Sequence, residues 1–544
     1  MKIAIAQINT TVGDFEGNAA KIADGMRRAE REGAELVLFP ELAITGYPPR
    51  DLLEKPSFIE ANLKALEALA KGSAKTAAVV GFVSPNESSR GRALYNSAAL
   101  LHGGRVAFVQ HKTLLPQYDV FDEGRHFEPA SEHRVFELNG RRLGLSLCED
   151  LWSNHTFRGR RLYAVNPAKM LRDAGAEIVL NISASPYTVG KQALRLDLFS
   201  AEARSVGLPV FYCNLVGGND ELVFDGRSFA LDAGGRPVRE GRPFEEDFFV
   251  VDSGSMGAPV SPAAMPEEDE IWRALVLGLA DYMRKCGFER AVIGLSGGID
   301  SAVVAAIACD AIGRDRVLGV MMPSPYTGER SMRDGEALAR NLGISTWQVP
   351  IGEVYEAYRR ALGYALDPGA PVSLAEENIQ ARIRGNILMA VSNRDGSLVI
   401  STGNKSELSV GYCTLYGDMA GGFALISDIP KTLVYALARR ANRGGERIPK
   451  GIIDRPPSAE LKPDQADTDT LPAYDVLDPI MRHYIEDRMS MEEIVGRGFD
   501  TGTVERIVRM IDANEYKRRQ APPGIKITMK AFGMGRRFPI ARKT

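Results

Sequence analysis

Cysteine is scarce in this chain: five residues, Cys148, Cys213, Cys286, Cys309 and Cys413, are spread over 544 positions. Their number is odd and no two stand at metal-ligand spacing, so neither a disulfide framework nor a thiolate metal centre is expected. The six histidines show no metal spacing either. Neither sign of charge prevails, since 67 Lys and Arg face 70 Asp and Glu for a formal charge of -3. That balance gives no global reason to bind nucleic acid or a membrane surface. Long apolar runs are missing too, and none approaches the roughly 20 residues that span a bilayer. The opening stretch Met1–Ile8 reads as a short strand and not as a signal peptide. These absences predict a cytoplasmic protein. What is present, 44% hydrophobic and 25% charged residues, suits a globular chain with about two to four domains.

One stretch organises the rest: Ser296-Gly297-Gly298-Ile299-Asp300-Ser301. The apolar run Ala291–Leu295 before it is short and β-branched, as in a buried strand, and the Ala-rich run Ala302–Ala308 after it suits a helix. Two glycines at such a junction let backbone N–H groups converge beside the positive end of the helix, a cradle for phosphate. A plain strand-to-helix turn would use the same residues. The stretch lacks the Gly-Lys-Ser/Thr of a Walker A loop and the Gly-x-Gly-x-x-Gly of a dinucleotide fingerprint.

In residues 1–255, strands are expected at Lys2–Ile8, Glu35–Phe39, Ala77–Val83, Ser97–Leu101, Arg105–Gln110, Arg142–Leu147, Ile178–Ile182 and Val210–Leu215. Helices are expected at Asn18–Glu32, Ile59–Ala70, Ala168–Ala174 and Leu194–Val206, and hairpin turns at Gly103-Gly104, Asn139-Gly140 and Gly234-Gly235. The pattern is that of a mixed α/β sandwich. Glu41, Lys112 and Cys148 each follow one of these strands. A cysteine at a strand end becomes a nucleophile when a base takes its proton and a cation holds the resulting anion. Taken singly, each residue also fits an inert thiol or an ordinary surface charge.

Phe39-Pro40-Glu41, His111-Lys112-Thr113-Leu114-Leu115-Pro116 and Leu147-Cys148-Glu149-Asp150 resemble, in order and spacing, the motifs of the nitrilase-like amidohydrolases. The resemblance covers nearly all of residues 1–250 and implies an αββα sandwich that hydrolyses a C–N bond through a thioester. It casts Glu41 as general base, Cys148 as nucleophile and Lys112 as stabiliser of the tetrahedral intermediate. Cys148-Glu149-Asp150-Leu151-Trp152 resembles a glutaminase branch, in which Tyr118, Ser185 and Lys191 match the positions that hold glutamine. Glu123 is either a second carboxylate of that site or a partner of Arg125.

Ser255–Pro266, rich in Pro, Gly, Ala and Ser, is the expected domain joint, with a linker over 256–268 and a helix over Glu267–Cys286 that opens on four acids. Beyond it, strands and helices alternate: Ala291–Leu295 with Ser301–Ile312, Val317–Met322 with Glu329–Leu342, Trp347–Ile351 with Glu353–Tyr364, then helix Leu374–Ser392 and strand Leu398–Thr402. Alternation predicts a doubly wound parallel sheet over 269–544, with its ligand site at the carboxyl ends of the strands.

The Ser-Gly-Gly-x-Asp-Ser turn resembles the pyrophosphate loop of the N-type ATP pyrophosphatases, which form an adenylate and admit a nitrogen nucleophile. Ser401–Glu407, Gly411–Asp418, Glu376–Arg384 and Lys517–Gly524 resemble the NAD synthetase signature among them. Together with the amidohydrolase half, the chain is similar to the glutamine-dependent branch of that family. The resemblance implies that Gly294, Leu295, Ser296, Gly297, Gly298, Ile299, Asp300, Ser301 and Thr402 bind ATP. It further assigns Asp300 and Glu407 as Mg²⁺ ligands, and Asn378, Glu407 and Lys517 as contacts of deamido-NAD. It implies small-molecule substrates, no nucleic-acid or membrane partner, a homo-oligomer, and ammonia passed between sites in its neutral form. Asn404-Lys405 departs from the His-containing sequence of short-form synthetases. The basic tail from Lys517 to Lys543 reads as a solvated surface or as a flap over an anionic dinucleotide.

Overall fold

The computed structural model describes residues 1–154, 156–157, 159–262, 264–363 and 372–543. It divides into two compact units, Met1–Ala264 and Met265–Thr544. The division falls inside the Pro-, Gly- and Ala-rich stretch.

In the first unit, six strands order as Asp247–Asp252, Lys2–Gln7, Leu36–Leu38, Ala77–Pro85, Leu94–His102 and Arg105–His111. A second sheet orders Pro237–Glu240, Phe229–Leu231, Val210–Asn214, Ile178–Ser183, Arg141–Leu147 and Val135–Leu138. Alternation along each strand explains the layering. Ile3, Ile5, Leu36 and Leu38 of one sheet meet Leu143, Leu145, Leu180 and Phe211 of the other in an inter-sheet core. The intervening residues Ala4, Ala6, Val37 and Phe39 face outward, against Ile22, Met26, Leu66 and Leu69 of helices Phe15–Arg31 and Pro56–Lys71. On the far side Leu171, Phe199 and Ala203 of helices Pro167–Asp173 and Lys191–Val206 cover Val179, Tyr212 and Phe229. The unit is an αββα sandwich. Each fully buried Leu, Ile or Phe in these layers contributes about 1.5–3 kcal/mol.

Hairpins join strands at each expected glycine pair, and at Asn139-Gly140 both residues hold positive φ, 51° and 73°. Several short strands had no counterpart in the sequence reading, among them Val216–Asn219 with Leu222–Asp225 and the edge strand Asp247–Asp252. Three to six residues carry too little periodicity to stand out.

The second unit opens with helix Glu267–Cys286. Its five strands run parallel in the order Ser345–Gln348, Val317–Met321, Ala291–Gly294, Leu398–Ser401 and Phe423–Ala424. The sheet grows outward in both directions from Ala291–Gly294, so the strand order reverses at the organising turn. The strand expected at Trp347–Ile351 lies instead at Ser345–Gln348. Pro350 has no N–H to offer a ladder, which ends pairing early. The expected helix Glu353–Tyr364 spans Gly352–Ala361, and Tyr364 lies outside the described residues. Among the described residues no helix is long and apolar enough to cross a membrane.

Candidate functional site

Each unit carries a polar cluster at the carboxyl ends of its strands. In the first, Lys112 leaves strand Arg105–His111 and its ammonium lies 2.7 Å from Glu41 Oε1 and 2.8–2.9 Å from both oxygens of Glu123. All three side chains are buried. Asn96 Nδ2 donates to Glu41 Oε1 at 2.8 Å and the Ala184 N–H to Glu41 Oε2 at 2.9 Å. The Tyr47 hydroxyl donates to Glu123 at 2.9 Å. Glu123 therefore belongs to the cluster, while Arg125 pairs with Asp51 and Glu54. Gly81 makes room for the Glu41 segment, because a Cβ there would lie 2.2 Å from Leu42 N.

Cys148 follows strand Arg141–Leu147 at a φ of 39°, a left-handed backbone that an L residue adopts at some strain. Asp150 locks that turn. One of its oxygens accepts from Leu147 N at 3.0 Å, and the other accepts from Thr113 N and Leu114 N at 3.0 and 2.8 Å. The nucleophile strand and the lysine segment are thus pinned to one carboxylate. Burial, reinforced by the Glu41 carboxylate, pushes the Cys148 thiol well above its ordinary range despite Lys112. Burial alone would lower Lys112, yet Glu123 and Glu41 outweigh it and hold the ammonium charged. Burial raises Glu123 to about 7, against the pull of Lys112. The resting site is a neutral thiol beside an ion pair, which needs a base to fire.

Around it, Tyr118 and Tyr163 hydroxyls both donate to Glu149 at 2.9 Å. The Lys191 ammonium stands 4.3 Å over the Trp152 ring. Ser185 accepts from Arg195 Nε at 3.2 Å, and Arg195 is fixed by Asp225 at 2.9 Å.

In the second unit the turn lines a cleft of about 290 Å³. Gly294, Leu295, Ser296, Gly298, Ile299, Asp300, Thr402 and Glu407 form part of its wall. Gly297 and Ser301 sit behind it. Gly297 has a φ of +75°, and a Cβ there would lie 2.3 Å from Ser331 O, so the turn tolerates only glycine. Ser301 Oγ lies 3.4 Å from Ser296 N and donates to Gly298 O at 3.0 Å, which closes the loop.

Asn404 joins the two expected carboxylates. Its Nδ2 donates to Asp300 at 2.9 Å, and its Oδ1 caps helix Lys405–Val410 by accepting from Glu407 N at 3.0 Å. Lys431 Nζ contacts Asp300 Oδ2 and, at 3.1 Å, Glu407 Oε1. Burial raises Glu407 to about 8, tempered by Lys431. Two carboxylates answering one ammonium mark a point where positive charge is stabilised, and their oxygens are hard donors suited to a divalent cation.

Asn378 and Lys517 do not line the cleft. Thr414 donates to Asn378 Oδ1 at 2.6 Å, and Lys517 Nζ donates to Gly411 O and Cys413 O at 2.7 and 2.8 Å. Both brace the turn that sets Tyr412 and Cys413 in the wall. No cation of the basic tail lines it either, although Ala521 and Pro522 do. Asp512 and Glu515 draw the arginines away: Arg542 bonds Asp512 at 2.6 Å, and Arg518 and Arg536 bond Glu515.

Sequence reasoning missed Lys431, Asp150, Asn96 and Tyr163. A signal existed for Lys431, the first residue of helix Lys431–Ala441, where a cation opposes the helix dipole and calls for a carboxylate partner.

Residues 2–253 match the family model Carbon-nitrogen hydrolase and residues 271–521 the model NAD synthase. By class the molecule is a carbon–nitrogen hydrolase joined to an NAD synthase. A glutamine-dependent NAD(+) synthetase of Synechocystis sp. is 48% identical, with 99% of this chain and 98% of that protein aligned. Another from Thermotoga maritima is 43% identical over 100% and 99%. A solved Acinetobacter baumannii glutamine-dependent NAD+ synthetase in complex with ADP superposes with a TM-score of 0.78 at 40% identity, over 99% of this chain and 98% of that one. The chain belongs to the glutamine-dependent NAD(+) synthetase family.

Proposed function

We propose that this ligase amidates deamido-NAD to NAD, with glutamine as nitrogen donor and ATP as co-substrate. The observation that carries this is the buried Cys148–Lys112–Glu41–Glu123 cluster in the same chain as the Ser296–Ser301 cleft.

In the first unit, Tyr118, Ser185 and Lys191 hold glutamine. The Cys148 sulfur bonds to the side-chain amide carbon while Glu41 takes the thiol proton. Lys112 faces the oxyanion of the tetrahedral intermediate, and Glu123 keeps Lys112 charged. Glu41 returns the proton to the nitrogen, which leaves as ammonia. Water then splits the thioester, and glutamate departs.

In the second unit, Gly294–Ser301 and Thr402 bind ATP. Asp300 and Glu407 hold Mg²⁺, which when bound offsets the charge of the phosphates. Glu407 also contacts deamido-NAD, and Asn378 and Lys517 serve that substrate through the Gly411–Thr414 turn. The nicotinate carboxylate attacks the α-phosphorus and pyrophosphate leaves. Ammonia then attacks the acyl carbon and AMP leaves. Ammonia must arrive unprotonated, since ammonium has no lone pair. The same reading places the enzyme in the cytoplasm, in keeping with its free cysteines, as an assembly of two or more copies.

The test supplies ATP and ¹⁵N-amide glutamine with deamido-NAD or, separately, with xanthosine monophosphate. Labelled NAD with AMP, pyrophosphate and glutamate is the expected product of the first mixture. Its absence there, or a labelled product only in the second, would sink the assignment.

A further inference from the structure

Three cations line the described walls of the second unit's cleft: Arg384, Lys431 and Arg455. Two of them answer acids. Lys431 bridges Asp300 and Glu407, and Arg455 is bonded to Glu460 and Ser331 Oγ. Arg384 is different. Its Nε donates to Met322 O at 3.1 Å, and among the described residues no carboxylate forms an ion pair with it. The acid that influences it, Glu460, is already bonded to Arg455. A guanidinium offers five N–H donors in a planar fork, so one backbone bond leaves its terminal nitrogens without an acceptor among the described residues. Burial lowers the group to about 10, opposed only by Glu460. A half-buried guanidinium whose neighbouring acid is already engaged elsewhere is set for an anion that the ligand brings.

Its position says which anion. Arg384 lies on helix Leu374–Asp395 and bonds Met322, the residue that follows strand Val317–Met321. One turn along that helix, Leu388 would come within 3.3 Å of a Cβ on Gly294, as would Met322 Cε. The arginine is therefore seated against the segment that leads into the Ser296–Ser301 turn. Asn378 and Lys517 brace a different wall, the Gly411–Thr414 turn.

We propose that Arg384 pairs with phosphate oxygens of ATP, supplying the side-chain charge that the backbone turn at Ser296–Ser301 lacks. This rests on the synthetase reading above. The diphosphate and the nicotinate carboxylate of deamido-NAD carry the same oxyanion chemistry, and kinetics separate the sources.

The experiment uses the full chain with ammonium chloride in place of glutamine, so that only the second unit works. If the parent makes no NAD from deamido-NAD and ATP, the synthetase reading itself fails. Given an active parent, Arg384→Gln should raise the KM for ATP by about tenfold or more and weaken product inhibition by pyrophosphate in parallel. The KM for deamido-NAD should stay within about twofold, and Arg384→Lys, which keeps charge but not the fork, should fall between. Thermal unfolding checks that the variants fold. An unchanged KM for ATP overturns the assignment, and so does a rise confined to deamido-NAD. If Arg384→Gln turns over too slowly to assay, calorimetry with inorganic pyrophosphate decides: lost binding supports the pairing, and parental affinity overturns it.

Discussion

Lys112 in the first unit is a buried cation and Arg384 in the second a half-buried one, yet they are treated in opposite ways. Lys112 has two carboxylates within 2.9 Å and is driven further into its charged form. Arg384 has a backbone carbonyl and is pulled down to about 10 by burial. The contrast extends to the surroundings. The first cluster is packed from within, with Asn96, Tyr47 and a backbone N–H filling the remaining positions on Glu41 and Glu123. Among the described residues, the second lines about 290 Å³ of open cleft with five carboxylates and three cations. A site whose charges are answered by the chain's own groups can be pre-aligned before a neutral side-chain amide arrives. A site that receives polyanions must keep room, donors and a place for counter-charge.

Four changes would break or sharpen this contrast. The largest effect is expected from Cys148→Ala, which should lower glutamine-driven NAD formation about ten-thousand-fold while ammonium-driven formation stays within about twofold. Asp300→Ala, its counterpart in the open cleft, should abolish both routes. Assaying the two nitrogen donors side by side checks the pair, and parallel loss of both donors in Cys148→Ala would contradict independent chemistry. Next comes Asp150→Ala, which orphans the buried N–H groups of Leu114 and Leu147 and the half-buried one of Thr113, and should destabilise the first unit by about 3 kcal/mol or more. Denaturant unfolding measures it, and glutamine use should fall ahead of ammonium use. The smallest change is Glu123→Gln. Because the fold raises Glu123 from 4.5 to about 7, the protonated form is favoured in the native state. The stability this brings is present below about 4.5 and is lost as pH rises through about 7. The glutamine variant is blind to that change. Its stability relative to the parent should therefore grow by about 3 kcal/mol between those limits. A gap that stays constant with pH would show that Glu123 is ionised throughout.

Much of this was legible in residues 1–544 read as a string. Helix Glu329–Leu342 followed from apolar spacing and the parallel sheet of the second half from the alternation of strands and helices, although the strand order around Ala291–Gly294 did not. The strand-end placement of Glu41, Lys112 and Cys148 was equally visible. What did not show were partnerships across long separations. Asn96 with Glu41, Lys431 with Asp300 and Asp150 with Thr113 lie 55, 131 and 37 residues apart and obey no local period. Asn404, where the sequence leaves the short-form pattern, bonds Asp300 and caps Glu407, so it links the two carboxylates. For the basic tail, charge along the sequence could not choose between a solvated surface and a flap, because it says nothing of which acids stand nearby, and Asp512 and Glu515 engage three of its arginines.

Asp150 has one more consequence. Because one carboxylate grips both the backbone before Cys148 and the backbone after Lys112, thermal jostling of either strand is transmitted to the other. Displacements common to both cancel in the gap between sulfur and ammonium. The two strands are free to vibrate, but the error that reaches the reacting atoms is only the difference between their motions.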